Sequence, residues 1–445
     1  MISKRIKWRD NRGISLIEAV IGVAVFAVIS TGVYEAYRST QMLIGVTRQK
    51  ITAIALANEQ LEIIRNLSYA DVGVKDGIPT GKIPHEQEIV RSGVSFKVLT
   101  TVRNIDDPFD GTIGGEKNDL SPADYKLVQV DIGCDACKQF QSFSVVTYVS
   151  PRGLEMSSNN GALFIKVFDA DGKPVDGASV EIKNSSVSPV INISDTTDNT
   201  GSLAVIDVPP GNETYEVSVT KSGYSSEKTY ATTALNPHPT KPNATVSAQQ
   251  LTNISFSIDK TSDLTISAVN QNCEAIAGAS FELNGTKLIG EPDLLKYTEN
   301  KTTDNNGNVT IPLLEWGNYN IDASGEEILK NASYYPPLPI NLSPNEEKKQ
   351  MLVVPLEGEN TTYSLVVDVK DSLSGEDVLS PTVTLKNGEV SFEQNIGCSP
   401  EKYYLFTGLA LESYHLTVSA SGYKTQEMGI AVAGPWQQVS VQLEK

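Results

Sequence analysis

Histidine is nearly absent: 445 residues hold three, His85, His238 and His415. Imidazole is the commonest general base and metal ligand near neutral pH, so three scattered copies give catalysis little to build on. Cysteine is scarce too, with Cys134, Cys137, Cys273 and Cys398. The first two form a C-x-x-C, but no second pair and no paired histidines accompany it, which argues against zinc. No G-x-S-x-G, H-E-x-x-H or phosphate-binding glycine loop occurs. Basic residues are outnumbered, 36 Lys and Arg against 54 Asp and Glu, for a net charge of −18. That balance excludes nucleic acid as a partner of the whole chain and suits a soluble exported surface. The expectation is a non-enzyme with no cofactor and no metal.

Proline is missing from Ile14 to Asn66, and only Gly22, Gly32 and Gly45 interrupt that stretch. At 1.5 Å per residue such a run makes a helix of about 80 Å, far longer than one bilayer crossing. Residues 14–38 are apolar on all sides at first and read as a membrane span. Ahead of them lie Lys4, Arg5, Lys7, Arg9 and Arg12, with Asp10 the lone acid. Basic flanks stay on the cytoplasmic side, so the N-terminus is expected inside. Beyond Tyr37 the pattern turns amphipathic, with Ile51, Ile54, Leu61 and Ile64 set among Arg48, Lys50, Glu59 and Glu62. One charge, Glu18, sits inside the apolar run, and a carboxylate there marks a functional position.

The segment Arg12-Gly13-Ile14-Ser15-Leu16-Ile17-Glu18 resembles the signal of type IV prepilins and type II secretion pseudopilins. The resemblance implies that prepilin peptidase cuts after Gly13 and that the new N-terminus, Ile14, is methylated. Glu18 then falls at the fifth mature position, where the family keeps an acid, and Tyr37 at one it often fills with Tyr. In a filament core the Glu18 carboxylate would pair with the methylated amine of Ile14 on a neighbouring subunit, offsetting the burial of both charges. Other pilin subunits and the inner membrane are thus the implied partners. A secretory signal peptide would instead end in a small-residue cleavage site after the apolar run.

Residues 68–157 read as a small β-domain. Phe96, Val98, Thr100 and Val102 alternate with Lys97, Thr101 and Arg103, and Lys126–Ile132 and Ser142–Val149 supply further strands. Asn58–Asn66 and Asp124–Val130 resemble minor pilins of the PilV and pseudopilin I type, which implies an α+β roll whose sheet covers the helix. Cys134 and Cys137 are read as a local disulfide closing the loop between two strands; Cys273 and Cys398 are read as free, since they could join only if their repeats pack to within about 7 Å between Cα atoms. The acid-rich Asp106-Asp107-Pro108-Phe109-Asp110-Gly111 is read as a solvated turn.

After Pro151 the chain repeats itself. Leu163–Val167, Leu264–Ala268 and Leu365–Val369 open three units. Thr197-Asp198-Asn199-Thr200-Gly201 matches Thr303-Asp304-Asn305-Asn306-Gly307, and Tyr215, Tyr319 and Tyr414 sit in closing strands where they can pin a sandwich. Short alternating strands between turns imply β-sandwiches. The units resemble carboxypeptidase regulatory-like and B-type adhesin stalk domains. Asp169–Gly172 and Asp304–Gly307 place glycine too early for an EF-hand loop, so calcium is not expected there.

The expected fold class is α+β: a long N-terminal pilin helix with a small antiparallel sheet, then three tandem all-β sandwich domains. The expected segments are a leader at 1–13, the helix at 14–67, a pilin β-domain at 68–157, and sandwiches at 158–258, 259–358 and 359–445. The expected role is a minor pilin-like subunit displaying β-domains for an extracellular protein or glycan ligand. It would reside first in the cytoplasmic membrane and then at the pilus or cell surface. Alternatives are a type II secretion pseudopilin and an uncleaved membrane-anchored binding protein.

Overall fold

A computed structural model describes residues 15–137, 140–152, 158–270, 273–323, 329, 332–354, 363–388, 390–394, 404–434 and 436–445. The chain divides into two compact units, Met1–Ser158 with Val205–Asp207, and Asn159–Ala204 with Val208–Lys445. One long N-terminal helix is followed by many strands, mostly arranged as β-sandwiches.

In the first unit the helix runs unbroken over Leu16–Arg65. It ends at Asn66, whose backbone N–H reaches Glu62 and Ile63 carbonyls at 3.2 Å and whose side-chain amide donates to Glu62 O at 2.7 Å. These bonds satisfy carbonyls the helix itself leaves open. The second half packs on an antiparallel meander of Glu86–Arg91, Val94–Ile105, Tyr125–Gly133 and Phe143–Val149. Phe96, Val98, Thr100 and Val102 all face inward, as their alternation predicts. The helical face is the expected one at Leu61 and Ile64 and differs at Ile51 and Ile54. Ala53, Leu56, Ala57, Gln60, Leu61 and Ile64 are buried, while Ile51 and Ile54 stay 63% and 47% exposed. Small Ala53 and Ala57 let the helix backbone approach the sheet, and that rotates the larger isoleucines outward. Full burial of Leu56 and Ile64 contributes roughly 2 kcal/mol each.

The second unit holds the repeats. Gly161–Phe168, Ser262–Asn270 and Tyr363–Asp371 each pair in parallel with a closing strand, respectively Leu251–Ser257, Glu347–Val354 and Trp436–Leu443. The opposite sheets are antiparallel, around Ser179–Asn184, Ser280–Gly285 and Thr382–Asn387. One apolar core centres on Leu264, Ile266 and Leu283 and another on Leu365, Val367 and Leu416. Leu163, Ile165, Ile182 and Tyr215 fill the corresponding space of the first repeat.

The shared turn motif has a physical cause. Asp198 Oδ1 accepts from Thr200 and Ser202 N–H, and Asp304 Oδ1 from Asn306 and Asn308 N–H, all at 2.9 Å. Buried Thr197 and Thr303 bridge from Val175 O to Ala178 N and from Ile276 O to Ala279 N. Gly201 and Gly307 adopt φ of 71° and 72°, and a Cβ at Gly307 would meet Ala268 O at 2.6 Å. Only glycine fits there. The closing tyrosines pin each sandwich: Tyr215 Oη donates to Pro209 O at 2.6 Å and Tyr319 Oη to Glu315 O at 2.7 Å, while Ala410 N donates to Tyr414 Oη at 2.9 Å.

Candidate functional site: the N-terminal segment and its supporting head

Ser15 caps the long helix, and Glu18 occupies the third helical position. Glu18 N donates to Ser15 Oγ at 3.2 Å, and Glu18 Oε2 accepts from Ser15 N at 3.0 Å and Ser15 Oγ at 3.1 Å. This reciprocal capping box satisfies two helix-end donors and fixes the carboxylate beside the start of the helix. Its S-x-x-E signature, Ser15 to Glu18, is present in the sequence. Gly13 and Ile14, the expected cleavage and methylation positions, lie outside the described residues.

From Leu16 to Tyr34 the only charge is Glu18, and nothing among the described residues covers the apolar side chains. Leu16, Phe26 and Val28 are 86%, 72% and 72% exposed. Among the described residues this is the one helix long and apolar enough to cross a membrane. Thr31, Thr40 and Thr47 turn their hydroxyls onto Ala27, Ala36 and Leu43 carbonyls at 2.8–3.1 Å, so these three are satisfied within the helix. Tyr34 and Tyr37 stand where the charged residues begin, as aromatic side chains do at a membrane surface. Residues 8–34 match the prokaryotic N-terminal methylation motif.

Three solved structures that the chain is similar to have β-rich folds. The Bacillus anthracis TIE protein is 14% identical over 81% of this chain and 73% of its own, with a TM-score of 0.19. A streptococcal ancillary pilin is 13% identical over 64% and 99%, at 0.17. GBS52, the minor pilin of Streptococcus agalactiae, is 14% identical over 44% and 95%, at 0.22. No curated protein matches the sequence.

The head that carries the motif's helix has a buried cation. Lys126 is in phase with Val128 and Val130 on the inward face of its strand and is only 6% exposed. Its Nζ donates to Tyr69 O at 2.8 Å and Val72 O at 2.6 Å and lies 4.4 Å from the Tyr69 ring centroid. It thereby ties the turn after the helix to the sheet. Burial pulls its pKa down to about 8, against a weaker pull upward from Asp207. With a folded pKa below the unfolded value of about 10.4, the unfolded chain binds more protons between pH 8 and 10.4, so head stability rises with pH across that window. Lys126→Met should flatten this rise, read as the urea midpoint of the full chain at pH 7.5 and 10.

Cys134 and Cys137 are disulfide-bonded, with Cα atoms 5.4 Å apart, in the turn between Tyr125–Gly133 and Phe143–Val149. Cys273 corrects the reading that left it free: it is disulfide-bonded, while Cys398 lies outside the described residues. Cys273 packs on a cluster joining Met351 and Val353 of the second repeat to Val366 and Leu405 of the third. Sequence spacing does not disclose that closeness.

The acidic loop also differs from a simple solvated turn. Asp106, Asp119 and Asp124 are part-buried, and burial followed by the charges of Asp119, Asp124 and Asp110 raises the Asp106 pKa. Asp169 Oδ1 accepts from Asp171 and Lys173 N–H at 2.9 Å, so that acid is engaged by its own turn.

Proposed function

We propose that the chain is a minor pilin-like structural subunit of a type IV pilus. It is inserted in the cytoplasmic membrane with its N-terminus inside, cut by prepilin peptidase between Gly13 and Ile14, methylated, and assembled with other pilins. The observation that carries this reading is a methylation motif leading into a helix whose first half exposes apolar side chains that no described residue covers. Such a surface is stable only in lipid or against other helices. The sandwiches project from the assembly and present a surface for adhesion to an extracellular protein or glycan. A structural role rather than catalysis is supported by the placement of the histidines. His85 Nδ1 lies 3.1 Å from Thr100 O, His238 sits in a short strand, and His415 is exposed beside Glu427.

Mass spectrometry of the protein taken from the native envelope tests the proposal. The expected N-terminus is N-methylated Ile14. An intact Met1, or a cut elsewhere, would replace the filament role by that of an anchored surface protein. Recovery of the processed chain in sheared pili, rather than only in a secretion apparatus, separates pilus from pseudopilus.

A further inference from the structure

We propose that the first two sandwiches carry N-linked glycans on the edge strands of their sheets, at Asn192, Asn253, Asn300 and Asn308. The triplet Asn-x-Ser/Thr, with x other than proline, is the acceptor sequence for such a glycan. It occurs eleven times between Asn184 and Thr362 and nowhere from Tyr363 to Lys445. A chain rich in Asn, Ser and Thr produces such triplets by composition, so their placement in the fold decides.

Four of them begin in strands that end a sheet: Ile191–Thr196, Leu251–Ser257, Thr298–Thr302 and Asn308–Leu314. Among the described residues each of these strands pairs along one side only. Residues two apart share a face of a strand. In all four triplets both the asparagine and its hydroxyl residue, Ser194, Ser255, Thr302 or Thr310, are exposed. The side-chain amides of Asn192, Asn253 and Asn300 hold no hydrogen bond among the described residues. Asn308 is engaged through Oδ1, which accepts from Ser267 Oγ at 2.6 Å. Other triplets supply the contrast. Asn184 is 1% exposed and donates from Nδ2 to Thr214 Oγ1 at 3.0 Å, and Asn66 in the head donates from Nδ2 to Glu62 O at 2.7 Å.

An open sheet edge offers unpaired N–H and C=O groups to any other chain, a hazard where subunits crowd together. A bulky, hydrophilic glycan on that edge keeps a foreign strand from adding to it. In the transfer step, asparagine Nδ2 bonds the anomeric carbon of a lipid-phosphate-linked sugar. The bond from that carbon to the phosphate oxygen breaks, the phosphate leaves on its lipid carrier, and the amide gives up one proton to solvent.

Peptide mapping by mass spectrometry of the protein from the native envelope is the test. Saccharide mass increments are expected on Asn192, Asn253, Asn300 and Asn308, with Asn66 and Asn184 bare. Thr302→Ala should lose the increment at Asn300 alone, and Thr302→Ser should keep it; Ser194→Ala repeats the reading at Asn192. Four bare asparagines, occupancy of Asn184 equal to theirs, or an increment that persists in the Ala variants would overturn the glycans. The inference rests on the proposed export of the sandwiches, and the same digest reports the mature N-terminus. Bare asparagines on a chain beginning at Ile14 would defeat the glycans alone, whereas glycans on a chain with an intact Met1 would defeat only the filament role.

Discussion

Glu18→Ala is expected to leave the leader cleaved and the subunit out of filaments. In the free subunit the Glu18 carboxylate rests on Ser15 N–H and O–H, with 3.0 and 3.1 Å contacts to the same oxygen. That arrangement moderates the cost of an acid near the membrane and leaves Oε1 without a donor among the described residues. On the proposed assembly route the donor is the methylated amine of Ile14 on a neighbour. Removing one member of a buried ion pair typically costs about 3–5 kcal/mol because the other charge is left unpaired. At about 1.4 kcal/mol per factor of ten, incorporation should fall at least a hundredfold. Ser15→Ala should do far less, since a lost cap costs about 1 kcal/mol. Quantifying the subunit in sheared filaments, alongside its mature N-terminus in the membrane, reads both effects. Filament content unchanged in Glu18→Ala would remove the pairing role.

The long helix is legible because a proline-free stretch with few glycines leaves little alternative, and the head strands because Phe96, Val98, Thr100 and Val102 alternate cleanly. The repeats announce themselves in Thr-Asp-x-x-Gly, whose threonine, aspartate and glycine each answer a distinct backbone demand. Legibility fails where partners are remote. Ile51 and Ile54 look like core by size, but the sheet meets the helix at Ala53 and Ala57, and which face docks depends on approach distance. Lys126 lies in phase with buried valines, an anomaly visible in sequence, yet the carbonyls that receive it belong to residues far upstream. The acids of the 106–124 loop are obvious as letters. The part-burial of Asp106, Asp119 and Asp124 is not, because it depends on the path of the loop itself. Cys273 shows the same limit, since its place against the cluster of Met351, Val353, Val366 and Leu405 depends on how neighbouring repeats pack.

Lys296→Met is expected to loosen the junction between the first two sandwiches. Lys296 Nζ bonds Glu315 Oε2 at 2.9 Å, Glu227 Oε2 at 3.0 Å and Ser226 O at 2.9 Å, with all three charged side chains only 15–18% exposed. Glu227 belongs to the first sandwich, Lys296 and Glu315 to the second. Around them His238–Pro239 pairs with Leu288–Glu291, and Asn236 Nδ2 donates to Ile289 O at 3.0 Å. Burial pulls the Lys296 pKa down, but Glu315 and Glu227 outweigh it and leave it raised. The pair's stabilisation is therefore fully present below the unfolded lysine value of about 10.4 and fades as pH climbs through the raised folded value. Methionine fills similar volume but strands two carboxylates, at a cost of about 3–5 kcal/mol. Lys287, which meets Glu315 Oε1 at 2.8 Å, compensates only one of them. Amide exchange should quicken around Ser225–Lys228 and Leu288–Lys296 while the core strand Ser262–Asn270 keeps its protection. Adding Glu227→Gln should recover part of the loss by removing the uncompensated charge. Exchange identical to the parent chain would mean that strand pairing alone holds the joint.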